Sequence, residues 1–405
     1  MCYREREATN ILKWTGMYFI SMRLHVVTVY YMVSALGEFS FEIPYLAYYL
    51  FQSLGLGYSF LYMAVFALVF GLFDYPTGGL ADRFGRKRTY ALGLAFVGIN
   101  YLIVASYTFP AVVVLAAFLA GFGAALQSGS LEAWITDELG KIGKFEDLDK
   151  VFGRGTSFSL VADVAAGIVG STITFMVGYW WTIPTAGIVA VAAFVFAMIF
   201  MPENWGAGER EPYTKLLKDG AKWILGKKTM LFLGLAQTFF IAGAYSYWET
   251  LTPVYGERGI PEAFFGLICS AMHLPAVVTT AYAYHLTRKF GCRKTVVILS
   301  WAWTGSCLLI TFLAHPAATI ALVIVLESLI ATRHPIIEFW RNILIPSSVR
   351  ATVLSGLSTL THVGQSFALF ILSPLVQVYG TIWGLLSAVA LTTVSNLTLF
   401  FTEKD

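Results

Sequence analysis

Charged side chains are scarce in this 405-residue chain, and their scarcity excludes a soluble protein. Asp, Glu, Lys and Arg make up 13% of the residues, whereas 57% are hydrophobic. A water-soluble domain carries roughly a quarter charged residues, because polar side chains must cover its surface. Cysteine is also rare: the four cysteines share no metal-binding spacing, so we expect neither a disulfide framework nor a metal site.

Long apolar runs take the place of the missing charges. A helix needs about 20 apolar residues to cross a bilayer, and Gly, Pro and charge clusters divide the chain into twelve such runs. The sequence therefore predicts an all-α polytopic membrane protein with twelve transmembrane helices. We place the spans at residues 24–51, 57–80, 88–107, 110–133, 153–177, 181–201, 230–252, 262–286, 295–314, 317–342, 353–378 and 381–401.

The basic residues predict the orientation in the membrane. Of 27 Lys and Arg residues, only Arg258 falls on the side with short connections, and only Arg333 lies deep inside a span. The others lie on or near the opposite side, which we call the basic side; the first is the short-loop side. By the positive-inside rule the basic side faces the cytoplasm. We therefore expect a multi-pass protein of the inner or plasma membrane, surrounded by lipid, with both termini cytoplasmic.

An internal repeat relates the two parts of the chain at a shift of 206 residues. The matches include Phe84-Gly85 with Phe290-Gly291, Pro110 with Pro316, and Glu132-x-Trp134 with Glu338-x-Trp340. They fall at equivalent places in the span pattern, so the chain is predicted to be two parallel six-helix repeats. The expected division is a cytoplasmic segment 1–23, an N-terminal bundle 24–201, a linker 202–229, a C-terminal bundle 230–401 and a tail 402–405.

A charged loop between the second and third spans carries a motif. It reads Gly78-Gly-Leu-Ala-Asp82-Arg83-Phe-Gly85-Arg86-Lys87-Arg88 and resembles the signature loop of the major facilitator superfamily, G-x-x-x-D-R-x-G-R-K. The second half holds an eroded copy in which Arg288 replaces the acid and Cys292 replaces a basic residue. The resemblance covers the whole chain and implies a secondary active transporter that works by alternating access.

The same resemblance implies a cytoplasmic gate. The arginines of the motif can pair with Asp82 and with Asp137 and Glu138 at the end of span four. Such a network would hold the two halves together when the protein is closed on the basic side, and would break when that side opens.

Ionisable groups inside spans are costly, so each is a candidate functional residue. Glu38 and Glu42 are four residues apart and are expected on one helical face. Two neighbouring carboxyls in a low-dielectric cavity should not both be ionised at neutral pH, which is a condition for proton coupling; the alternative is an ion pair across the cavity. The proton-coupling candidates are Glu38, Glu42, Asp163, His273 and His334.

Span ten is the richest in polar groups. Arg333 is the deepest cation, so it is a candidate ligand for an anion, with a fixed ion pair to Glu132 or Glu338 as the alternative. Asp74, Glu132, Glu249 and Glu338 lie near span ends and are expected to be gating or structural charges. The candidates for the substrate cavity are Glu327, Arg333, Gln127, Gln237, Tyr45, Tyr245, Trp248 and His362.

The function expected from these features is proton-coupled transport of a small organic solute. Acids and aromatic side chains slightly favour export of amphiphilic compounds, whereas uptake of a sugar, carboxylate or amino acid by symport stays open. An intramembrane enzyme or a solute sensor is a remote alternative, because the chain shows no catalytic motif and no signalling domain. We expect no catalytic residues, no cofactor and no nucleic-acid partner, and a monomeric protein.

Overall fold

The computed structural model describes residues 26–106, 109–206, 213–346 and 350–402. Helices dominate this part of the chain. Its N-terminal half contains α1 (Val26–Gly37), α2 (Ile43–Leu54), α3 (Leu56–Phe84), α4 (Arg86–Ser106), α5 (Pro110–Gln127), α6 (Ser130–Lys141), α7 (Leu148–Val177) and α8 (Thr182–Phe200). The predicted N-terminal segment 1–23 lies outside the described residues.

The C-terminal half follows a connecting helix. The connection contains α9 (Tyr213–Gly226), and the half contains α10 (Lys228–Glu257), α11 (Phe265–Ala281), α12 (Ala283–Phe290), α13 (Cys292–Phe312), α14 (Pro316–Leu344), α15 (Arg350–Tyr379) and α16 (Thr381–Leu399). Within the described ranges, eleven helical segments are long and apolar enough to cross a bilayer. The shorter helices α1 and α2 together take the place of the remaining span, so the twelve-helix architecture is confirmed.

The first span is interrupted, which the sequence analysis did not foresee. Pro44 lies in the first turn of α2. Proline lacks an N–H donor, and its ring clashes with the carbonyl four residues earlier, so it is favoured in the first turn of a helix, and here it marks the start of α2. The expectation that Glu38 and Glu42 lie one turn apart on an unbroken helical face is therefore wrong. Both residues lie in the interruption between Gly37 and Ile43.

The internal repeat is visible in the backbone. Gly85 and Gly291 both have positive φ, +105° and +78°, and each ends a helix that the next helix follows at once. Pro110 and Pro316 both begin a helix, α5 and α14. Trp134 and Trp340 are both buried in the basic-side cores of their halves, with 0% and 1% exposure.

The two halves meet along two helix pairs. α3 packs on α15 and α7 packs on α11, which places equivalent helices of the two repeats at equivalent interfaces. Gly167 and Gly266 allow the closest approach: a Cβ on Gly266 would lie 2.1 Å from the carbonyl oxygen of Gly167. Ser270 Oγ adds a hydrogen bond of 2.7 Å to the carbonyl of Val164. The glycines of span five therefore serve helix packing.

The interface is sealed on the short-loop side. The backbone N–H of Gly57 donates to Gln377 Oε1 at 2.7 Å, and Ser373 Oγ donates to the carbonyl of Gly57 at 2.8 Å. Tyr48 donates to Glu262 Oε1 at 3.1 Å. These bonds join the N-terminal half to the C-terminal half beyond the centre of the bundle.

Toward the basic side the same interface opens. Leu160 lies one helical turn below the contact residues of α7 and is 38% exposed, and Leu274 lies one turn below Ser270 of α11 and is 61% exposed. Helices α7 and α11 therefore touch at mid-depth and diverge toward the basic side. The structure represents a conformation that is open on the basic side.

Candidate substrate cavity

A cavity of about 620 Å³ lies between the two halves, below the seal on the short-loop side. Pockets for small ligands typically enclose about 300–1,000 Å³, so this one is of the size that holds a drug-sized molecule. It is lined by the interruption between α1 and α2 and by helices of both halves. In the described part of the chain the lining contains five carboxylates, one histidine and no Lys or Arg: Glu38, Glu42, Asp163, Glu249, Glu327 and His273.

The interrupted first span supplies two of the five acids. Glu42 is only 3% exposed and precedes the first turn of α2. Tyr101 of α4 donates a hydrogen bond of 2.6 Å to Glu42 Oε1, which fixes the carboxyl at the cavity wall. Glu38 lies at the other end of the interruption and also lines the cavity. Tyr101 was not among the predicted site residues, because nothing in the sequence shows that α4 reaches the cavity.

The opposite wall carries a second polar group. Asp163 of α7 and Glu327 of α14 line the cavity together with Cys269 and His273 of α11. Cys269 Sγ lies 3.9 Å from His273 Nε2, one helical turn apart. The structure thus places Glu38, Glu42, Asp163 and His273 around one cavity; their role in proton coupling stays a prediction.

Glu249 reaches the cavity from α10, although its position near the end of a span suggested a gating or structural charge. The side chains of Tyr245, Trp248 and Glu249 all line the cavity. Tyr245 and Trp248 were predicted there, and their spacing relative to Glu249 is the signal that could have identified the acid. Ser59 of α3 donates a hydrogen bond to Glu249 Oε2.

Aromatic rings cover much of the remaining wall. They come from both halves and surround the carboxylates, so the cavity combines negative charge with flat apolar surface. Gln127 of α5 is the predicted polar residue of span four, and it lines the cavity as well. The aromatic lining residues are Phe39, Tyr62, Phe66, Tyr101, Tyr245, Trp248, Tyr255 and Phe265.

Arg333 does not face the cavity, which corrects its assignment as a substrate ligand. It is 2% exposed, donates to Gln237 Oε1 at 2.9 Å and Ser300 Oγ at 2.8 Å, and stacks 3.7 Å above the ring of Phe240. The side chain points into the packing of α10, α13 and α14. Gln237 is removed from the cavity by the same contact. The alternative of an ion pair with Glu132 or Glu338 is also wrong, because Glu132 lies exposed on α6 and Glu338 pairs with Arg341 at 2.8 Å.

Three further candidates lie outside the cavity lining. Tyr45 is fully buried, and its hydroxyl donates to the carbonyl of Glu262 in the seal at 3.3 Å. His362 packs edge-on against Phe70 at 4.8 Å, between α3 and α15. His334 is exposed on α14, two turns toward the basic side from Glu327. These three side chains lie outside the cavity because of the depth and rotation of their helices. Neither property can be predicted from the boundaries of the spans.

The motif loop forms a charge network within one half. Arg86 contacts Asp82 at 3.2 Å and Asp137 at 2.5 Å, and the latter lies in α6 of the same half. The break at Gly129, with φ +67°, turns α6 against α4 and brings Asp137 to Arg86. Glu138 instead binds Lys141 and Asn204. These contacts persist within one half although the basic side is open, so the expected break of the Asp82–Arg86–Asp137 contacts on opening does not occur. Their role in joining the halves when the basic side is closed stays a prediction.

A short segment after α8 completes this network and was missed. We call residues 202–206 the strap. Glu203 accepts a hydrogen bond of 3.0 Å from the backbone N–H of Lys87 and lies 3.4 Å from Arg88. The carbonyl of Asn204 accepts the N–H of Arg86 at 2.9 Å, and Asn204 Nδ2 donates to the carbonyl of Trp134 at 3.0 Å. The strap thus caps the N-terminus of α4 and ties it to α6.

Fold and cavity together define a class of protein. Two parallel six-helix halves that enclose a central polar cavity, sealed on one side and open on the other, are the architecture of a membrane transporter for a small solute. The chain belongs to the Major Facilitator Superfamily, whose family model matches residues 27–259, more than half of the chain.

Known proteins resemble the chain over most of its length. The uncharacterized MFS-type transporter YxaM of Bacillus subtilis (strain 168) is 23% identical over 333 residues, 78% of this chain and 77% of that protein. The molybdate-anion transporter of Xenopus laevis is 25% identical over 296 residues, 70% of this chain and 64% of that protein. The crystal structure of the nucleoside transporter NupG superposes with a TM-score of 0.76 at 15% identity, covering 93% of this chain and 97% of that one.

Proposed function

We propose that this protein exports small amphiphilic organic cations across the cell membrane in exchange for protons. The basic side is the cytoplasmic side in this proposal. The observation that carries it is the cavity wall, where five carboxylates lie among eight aromatic side chains, with no Lys or Arg in the described lining.

The charges of the cavity wall favour binding of a cation over binding of an anion. Two unit charges 4 Å apart interact with about 4 kcal/mol at an effective dielectric constant of 20. A cation near one of the five acids gains energy of this order, and an anion loses it. Aromatic faces also attract cations, and their flat surfaces suit apolar molecules. Molybdate, the anion named for the relative from Xenopus laevis, is an oxyanion, and the described lining of the cavity offers no guanidinium to bind it.

Carboxylates give a physical route to exchange with protons. Each acid can be neutralised by a bound proton or by a bound cation, but the two compete for the same oxygens. Release of a proton to the cytoplasm would therefore prepare the cavity for the substrate, and a proton from outside would displace it.

The test uses the purified protein in liposomes with an imposed pH gradient. We expect accumulation of tetraphenylphosphonium against its gradient, driven by protons moving in the opposite direction, and no accumulation of molybdate. Glu38→Gln or Asp163→Asn should abolish proton-driven accumulation while the protein stays folded. Glu146→Gln is the matched control, because Glu146 is exposed and lies outside the cavity.

Two outcomes would contradict the proposal. Normal accumulation in both Glu38→Gln and Asp163→Asn would show that these acids do not couple transport to protons. Movement of molybdate, a sugar or an amino acid in the same direction as protons, without movement of the cation, would favour symport uptake instead.

A further inference from the structure

Glu249 occupies a position that no other cavity acid shares. It lines the cavity from α10, and it also accepts a hydrogen bond from Ser59, which lies in the first turn of α3 and is 0% exposed. The bond therefore joins the C-terminal half to the N-terminal half. The carboxyl of Glu249 thus faces the cavity and also takes part in the interface between the halves.

The bond lies next to the seal on the short-loop side. Gly57, two residues before Ser59, is held by Gln377 and Ser373 of α15. Gln377 Nε2 also donates to the carbonyl of Leu54 at 2.9 Å. These bonds use backbone groups and uncharged side chains, which have no titration near neutral pH. Two carboxylates take part in the bonds between the halves, Glu262 with Tyr48 and Glu249 with Ser59. Of these two, Glu249 is the one that lines the cavity.

We propose that the Ser59–Glu249 bond is a lock on the short-loop side, and that it is released when either a proton or a cationic substrate neutralises Glu249. A hydrogen bond to an ionised acceptor is roughly twice as strong as one between neutral groups. Neutralisation therefore weakens the contact between the halves. The inference rests on the proposed exchange of cations for protons and assigns one step of it to a residue.

The lock explains why empty transport cycles would be suppressed. With Glu249 ionised and no cation bound, the bond from Ser59 keeps its full strength and the short-loop side stays closed. A bound proton or a bound cation removes that restraint, so the halves rearrange only when one of the two is bound to Glu249. Exchange follows, because the same carboxyl cannot hold both at once.

The surroundings of Glu249 contain few competing charges. Tyr62 of α3 and Tyr245 of α10 interact with it electrostatically. Glu42, which precedes α2, lines the same cavity, as do Glu327 of α14 and His273 of α11. Helix α15 adds His362, which packs on Phe70, and the sequence of α16 contains no titratable side chain.

The experiment measures the seal directly and not through transport. Spin labels replace Phe109 and Val378, which lie at the short-loop ends of α5 and α15 and are 51% and 73% exposed, in a variant whose four cysteines are replaced. In the otherwise unchanged protein, we expect the long-distance, open population to grow as the pH is lowered. Saturating tetraphenylphosphonium at high pH should have the same effect.

Two variants separate the lock from a general loss of packing. Ser59→Ala removes the donor and should raise the ratio of open to closed forms about tenfold at high pH, where Glu249 is ionised. Glu249→Gln keeps the shape and an acceptor but cannot titrate, so its label distances should no longer depend on pH. Ser246→Ala is the matched control: its hydroxyl donates to the carbonyl of Gly384 at 2.9 Å within one half.

A wild-type pH response in Glu249→Gln, or a closed seal in Ser59→Ala, would overturn the lock. A failure of the proposed function gives a different result in the same experiment. If the pH response of the seal is present and lost in Glu249→Gln, but tetraphenylphosphonium neither opens the seal nor moves, then the lock is a proton lock and the substrate assignment is wrong.

Discussion

The loop between the second and third spans and its copy in the second half are built on the same backbone but stabilised differently. A shift of 206 residues relates Asp82 to Arg288, Arg86 to Cys292 and Asp137 to Ile343. All three members of the ionic network are thus replaced. Cys292 is buried at 8% exposure in an apolar core, and Ile343 is exposed.

The second half uses a different cation for a related purpose. Arg293 donates to Thr402 Oγ1 at 3.1 Å and to the carbonyl of Phe400 at 3.0 Å, at the end of α16. A cation at a helix C-terminus is stabilised by the unpaired carbonyls there. The comparison teaches that the repeat preserves helix packing, whereas each half has its own charges on the basic side.

Arg86→Ala should have the largest effect on stability. It leaves Asp82 and Asp137 without their shared cation in a partly buried site, and the loss of hydrogen bonds between charged groups costs about 2 kcal/mol. We expect this loss in the free energy of unfolding measured with denaturant in detergent. Arg288→Ala, at an exposed position of the copy, should change it little. An equal loss in both variants would break the comparison between the halves.

Glu203→Ala should cause the second-largest loss in the free energy of unfolding. It removes the cap of α4 and the contact with Arg88, and loss of a cap typically costs about 1 kcal/mol. The exposed Glu146→Ala is the control for a change in net charge. Hydrogen exchange at the first turn of α4 should increase in Glu203→Ala alone. Unchanged exchange there would mean that the strap does not stabilise the motif loop.

Arg293→Ala should cost slightly less than Glu203→Ala, because the Thr402 hydroxyl keeps its bond to the carbonyl of Leu399 when the guanidinium is lost. The neighbouring exposed Lys294→Ala is the matched control. The free energy of unfolding of both variants is measured with denaturant. A loss in Arg293→Ala as large as that in Arg86→Ala would show that the second half depends on charge as strongly as the first.

Arg333→Met should have the smallest effect. The guanidinium is buried, one of its nitrogens, Nη2, has no hydrogen-bond partner, and its loss removes a charge that is costly to bury. Losing the bonds to Gln237 and Ser300 offsets this gain, so stability should change by less than about 1 kcal/mol. Cation affinity should be unchanged in a binding titration. Reduced affinity would restore Arg333 as a cavity residue.

Much of the fold could be predicted because apolar runs, basic loops and the repeat all act over whole spans. The interruption of the first span was missed, since Pro44 was not weighed against the run of apolar residues around it. The cavity was predicted in part: Glu38, Glu42, Asp163 and Glu327 line it, whereas Arg333, Gln237 and His362 do not. Which way a side chain points depends on the rotation of each helix, and this is set by contacts between distant residues.

The connection between the strap and α9 limits how far the two halves can separate. Gly206 packs against Asp82 of the N-terminal half, and α9, which begins at Tyr213, packs on α15 of the C-terminal half. A fully extended chain spans at most about 3.6 Å per residue, so Gly206 and the first residue of α9 can lie no more than roughly 25 Å apart. While both anchors hold, the connection is a tether of fixed maximum length, and the width of the opening on the basic side has a covalent upper limit.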